Sequence, residues 1–145
     1  MRSVWFYLLD ASVDEVEDVL RTAGCEHLDD ERWNYPAGPN ACLYIGCHSY
    51  ERYPADVEDY ELDLIGGATP KTVVVADVSG RVSGDFEVRA LARMLLARLR
   101  GFAFDDFTAD THAWTLAEID ADERHGGLVF FDYMGFHEQA KTKPQ

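Results

Sequence analysis

KTVVVADVSGRVSGDFEVRALARMLLARLRGFAF, residues 71–104, reads as strand, turn, helix and strand in immediate succession. Thr72-Val73-Val74-Val75-Ala76-Asp77-Val78 is rich in β-branched side chains, which suit a pleated and largely buried surface. Gly80 to Gly84 interrupt the run with a turn. Val88, Leu91, Ala92, Leu95, Leu96 and Leu99 then fall at i, i+3, i+4, i+7, i+8 and i+11, the spacing of one helical face. Arg89, Arg93 and Arg100 form a basic stripe on the other side. Asp85 or Ser83 is the expected N-cap and Gly101 the expected stop. Phe102-Ala103-Phe104 resumes the extended chain.

Outward from this unit the same reasoning places a matching one before it. Ser3 to Leu9 is an aromatic and aliphatic run that predicts a buried first strand. Ser12 and Glu15 have the spacing of a capping box, and Val13, Val16, Leu20 and Ala23 follow at helical intervals. Gly24 supplies a left-handed end. Residues 26–40, with Trp33, Tyr35, Pro36, Gly38 and Pro39, read as a loop with room for a short strand before it. Ala41-Cys42-Leu43-Tyr44-Ile45-Gly46 then forms another strand. The order β-α-β-β-α-β predicts an α+β chain with a ferredoxin-like core. After it come a short helix near Leu116 to Ala121, capped by Thr115 and Glu118, and a further strand near Leu128 to Asp132 that extends the sheet. Residues 1–139 are expected to form a single domain, followed by a flexible polar tail at 140–145.

The 145 residues carry 27 acidic and 13 basic side chains, a formal net charge of −14. Such a surface repels phosphate backbones, whose affinity for proteins comes largely from Lys and Arg, and it repels anionic membranes as well. Neither nucleic acid nor membrane is therefore expected as a partner, whereas a cationic protein is. The same charge also serves plain solubility. Cys25, Cys42 and Cys47 are odd in number and form no Cys-x-x-Cys pair, which predicts reduced, buried thiols in a cytoplasmic protein. The apolar run Val4 to Leu9 is shorter than a signal-peptide core, and no export signal is expected.

No Gly-x-Ser-x-Gly elbow, phosphate loop or dinucleotide fingerprint is present, so the sequence predicts no catalytic set and no cofactor. Gly80 to Gly84 open a helix in the manner of an anion site but lack a Lys-Ser/Thr ending, so they read as a turn. Asp105, Asp106, Asp110 and His112 are the most enzyme-like group and offer donors for a metal-assisted reaction. Adjacent residues on an extended chain point to opposite faces, however, and Asp after a strand commonly forms turns, so no metal ligand is assigned. His125, Asp132 and His137 lack ligand spacing relative to one another. The acidic loop Asp56 to Asp63 contains five carboxylates and no basic residue. With rigid aromatics beside it, this loop has the composition of a surface that grips a basic protein. The expected partner-binding residues are Tyr53, Asp56, Glu58, Asp59, Tyr60, Glu61 and Asp63, with Asp105 and Asp106 enlarging the surface.

The stretch Gly101-Phe102-Ala103-Phe104-Asp105-Asp106-Phe107-Thr108, then Trp114-Thr115-Leu116-Ala117-Glu118-Ile119, then Phe130-Phe131-Asp132-Tyr133, resembles a pattern of small bacterial proteins. Those proteins resemble the immunity proteins of bacterial toxin systems. The resemblance spans the C-terminal part only and includes no catalytic motif. It implies a binding protein that neutralises a toxin, and the acidic charge suits a basic one. A small metal-assisted enzyme and a dimeric structural or small-molecule-binding module are the alternatives.

Overall fold

A computed structural model of the chain describes residues 2–51, 59–107 and 111–142. These residues form an α+β structure with one six-stranded antiparallel sheet and five helices. In chain order they are β1 (Arg2–Leu8), α1 (Val13–Thr22), β2 (Glu26–Asp29), β3 (Arg32–Tyr35), β4 (Leu43–Ser49), α2 (Asp59–Leu64), β5 (Thr72–Val78), α3 (Asp85–Arg98), β6 (Gly101–Asp105), α4 (Leu116–Asp120) and α5 (Tyr133–Thr142). The strands lie in the order β2-β3-β4-β5-β1-β6. The valine-rich β5 is central, paired to β1 from Thr72–Leu8 through Val78–Arg2 and to β4 on its other side.

The alternation of strand side chains sorts two apolar layers. Val4, Phe6 and Leu8 of β1 share one core with Leu43, Ile45 and Cys47 of β4 and with Val74, Ala76 and Val78 of β5. Onto that face α1 brings Val16 and Leu20 of its expected stripe together with Val19, and α3 brings Val88, Leu91, Ala92 and Leu95, as its spacing predicts. Tyr7, Val73 and Phe104 point the other way and form a smaller cluster with Ile65 and Ala113. Both expected capping boxes form, at Ser12 with Glu15 and at Thr115 with Glu118. All three cysteines are buried and free. Burial pushes the Cys25 and Cys47 thiols up to about 12, so both remain protonated at neutral pH.

Several expectations need correction. Residues 26–35 form a hairpin, β2 and β3, that adds two strands beyond β4; the chain order is therefore not a simple βαββαβ. Trp33 anchors this hairpin: its ring is buried, stacks on His27 at 4.3 Å and donates its indole N–H to Glu17 of α1 at 3.3 Å. The cap of α3 is neither Asp85 nor Ser83 but Gly84, at φ +75, without a side-chain hydrogen bond. A Cβ at that position would stand 2.4 Å from Val78 Cγ1, so the close approach of turn and strand selects glycine. Gly101 does not stop the helix, which ends at Arg98 with Leu99 as its C-cap; it begins β6, where a Cβ would meet the Tyr7 carbonyl oxygen at 2.4 Å.

The strand expected at Leu128 to Asp132 is absent. His125 and Leu128 make one isolated bridge, and the chain then turns through Phe130 and Phe131, with Phe131 at φ +50. Leu128, Phe130 and Phe131 are all buried in the main core, so an apolar run that resembles a strand works here as a plug. Asp132 caps α5 by accepting from the Gly135 amide at 2.9 Å. That helix continues through Thr142, which includes the first three residues of the expected polar tail; 143–145 lie outside the described residues. The basic stripe of α3 finds partners at both depths, Arg89 donating to the Phe130 carbonyl at 3.0 Å and the exposed Arg93 to Asp120 of α4 at 3.0 Å.

Candidate functional site

The acidic segment is partly helical, and the helix divides its side chains. Tyr60, Asp63 and Leu64, at i, i+3 and i+4, are exposed on one face of α2, Tyr60 at 54%. Glu61 and Ile65, also four apart, turn inward. Glu61 is only 8% exposed and accepts a hydrogen bond from the Tyr7 hydroxyl at 2.9 Å, so it belongs to the interior rather than to a partner surface. Asp59 opens α2. Tyr53, Asp56 and Glu58 lie outside the described residues.

Asp105 and Asp106 separate as adjacent residues on an extended chain should. Asp105 is buried at 8% exposure and accepts from the Phe131 amide at 2.7 Å, which corrects its expected place on a binding surface. Asp106 is exposed and accepts from the Ser3 amide at 3.2 Å. Ser3 and Tyr7, the anchor points of Asp106 and Glu61, stand four residues apart on β1, about 13 Å along an extended strand. Asp110 lies outside the described residues. The turn at Gly80 is clasped by Arg2, whose guanidinium donates to the carbonyls of Ser79, Val82 and Ser83.

His112 joins a different group. Trp114 pairs with Ala103 of β6 through two backbone hydrogen bonds, which fixes the chain just before α4. Helix α4 has only five residues, so the segments on either side of it return to the same place. His112 arrives from before the helix, Glu118 sits in its first turn, and His125 arrives from after it. The Nε2 atoms of both histidines lie 2.9 Å from a single oxygen, Glu118 Oε2. Their rings stack at 3.6 Å with 19° between planes. The buried Trp114 indole stands perpendicular to both, 4.9 Å from each centroid.

The other oxygen of Glu118 is held by the capping box, accepting from the Thr115 amide at 2.9 Å and from its hydroxyl at 3.1 Å. Burial pushes the Glu118 carboxyl up, but the hydrogen bonds from Thr115 and His112 outweigh it and hold the pKa below the usual glutamate value. Glu123 Oε1 lies 3.5 Å from His125 Nε2. Among the described residues, His112, Glu118 and His125 form the one group of three or more His, Cys, Asp or Glu side chains whose donor atoms all lie within 4.8 Å of one another. They are the residues placed to hold a metal ion. Sequence reasoning gave Glu118 only a capping role and set His125 beside Asp132 and His137. The available signal was the brevity of the helix between two histidines.

Comparison of the chain with protein-family models, with curated proteins and with solved structures returns no match.

Proposed function

We propose that the chain is an acidic protein-binding domain of the immunity type, acting in the cytoplasm to neutralise a cationic partner such as a basic toxin. The observation that carries this reading is the outer face of α2, where Tyr60, Asp63 and Leu64 stand exposed together. An exposed aromatic ring beside a carboxylate and an aliphatic side chain provides an anchor with charge to orient it. No Lys or Arg occurs between Asp56 and Asp63, and the whole chain carries −14, so a basic surface meets no competing charge from this segment. The order β4-β5-β1-β6, with α1 and α3 as the connections over one face, supports a ferredoxin-like core to which the β2–β3 hairpin is added. Such a core would serve as the rigid platform for α2.

The test begins with capture of partners from the native host on the immobilised chain, followed by calorimetry with each purified candidate. Tyr60→Ala is expected to weaken a genuine partner about tenfold or more, as loss of an aromatic anchor does. Asp63→Lys is expected to act mainly by slowing association. Affinity and association rate unchanged in both variants would remove α2 as the interface. A partner of acidic charge would overturn the electrostatic reading itself.

A further inference from the structure

We propose that His112, Glu118 and His125 form a binding site for a divalent transition-metal ion of the zinc type, with two imidazole Nε2 atoms and one carboxylate oxygen as the protein donors. This assignment is independent of what α2 binds.

Three observations carry it. The first is convergence: two Nε2 atoms meet one carboxylate oxygen at 2.9 Å each, on a segment short enough to bring its own flanks together. Metal donors at about 2.0–2.1 Å from a tetrahedral ion are separated from one another by about 3.3 Å, so modest outward movement of the rings opens room for an ion. The second is donor chemistry. Two imidazole nitrogens and one carboxylate oxygen are a donor set suited to zinc, and the Nε2–H groups that face Glu118 Oε2 give up their protons as a dication takes their place. The third is orientation from outside the donor set. Thr115 binds the far oxygen of Glu118 through both its amide and its hydroxyl, leaving Oε2 toward the imidazoles. The buried Trp114 ring packs against both imidazoles. Outer partners of this kind fix ligand geometry in metal sites.

Nitrogen and oxygen donors without thiolate favour zinc and its neighbours over calcium or magnesium, which take oxygen alone. Three protein donors leave a tetrahedral ion one position for water, the arrangement of open rather than closed zinc sites.

Zinc chloride is the probe. After treatment with chelator, the full chain is titrated by calorimetry, and the histidine ring resonances are followed by NMR in the wild-type protein. The expected result is one zinc ion per chain, released by EDTA, with the ring signals of His112 and His125 shifted and those of His27, His48 and His137 unmoved. Glu118→Gln and the pair His112→Ala/His125→Ala should each reduce affinity at least about tenfold, and Thr115→Val, which touches no donor position, about 10–100-fold. The wild-type spectra keep the test valid if a variant fails to fold. Unmoved His112 and His125 signals at millimolar zinc would overturn the site. So would shifts confined to the other histidines, or full affinity in the double variant.

Discussion

Asp105 shows how one side chain closes an interior that the neighbouring backbone leaves open. Phe131 holds φ +50, a conformation costly for an aromatic residue, and its amide faces the core with Asp105 Oδ2 at 2.7 Å as acceptor. Asp105→Ala removes that acceptor, and a buried amide without one costs about 1–3 kcal/mol. The variant is expected to lose that much in urea unfolding, while Asp105→Asn, which keeps a carbonyl oxygen, should lose less. Equal stability of all three proteins would show that the Phe131 turn holds itself. The role was not legible from the sequence: Asp105-Asp106 reads as an exposed acidic pair, and the return of the chain at Phe131 brings an inward-facing amide to the first of them. Glu61 illustrates the same limit. Its neighbours made it part of an acidic surface, but the helical period carried it to the Tyr7 hydroxyl.

Helix α4 is too short to persist on its own turns and depends on its ends. Its stability therefore follows the ionisation of Glu118. Because the folded carboxyl titrates below its usual value, the ionised form stabilises the helix above the ordinary glutamate range, and that contribution is lost as pH falls through the lowered value. Amide exchange at Ile119 and Ala121 is expected to speed up over that acidic window, and Glu118→Gln should abolish the dependence. Protection that is flat with pH in the wild-type protein would contradict the linkage. Elements with a clean period or a side-chain cap were readable in advance: α1, α3 and α4, together with the apolar runs of β1, β4, β5 and β6. Those that rest on distant contacts were not. The β2–β3 hairpin depends on Trp33 reaching α1. The segment 128–132 has a strand's composition, but its apolar side chains fill the core instead, while Trp114 takes the place beside Ala103 of β6. The histidine group was hidden for the same reason, its members being separated by six and seven residues and joined only by the fold.

At the scale of the whole molecule, a net charge of −14 works against the compact state and in favour of a cationic partner. Added salt should therefore move two measurements in opposite directions: the melting temperature of the isolated chain rises as self-repulsion is screened, and affinity for the proposed basic partner falls. Both quantities moving together would separate the charge from the binding. The six-stranded sheet also has two outer edges, and both are guarded. At one, Trp114 takes up the middle of β6 through its paired hydrogen bonds. At the other, β2 is four residues long, carries Glu26 and Asp29, and shifts register between His27 and Asp29. A strand from another copy would meet an acidic, irregular border on one side and an occupied one on the other, so the arrangement that lets the sheet grow to six strands also resists its growth into a fibril.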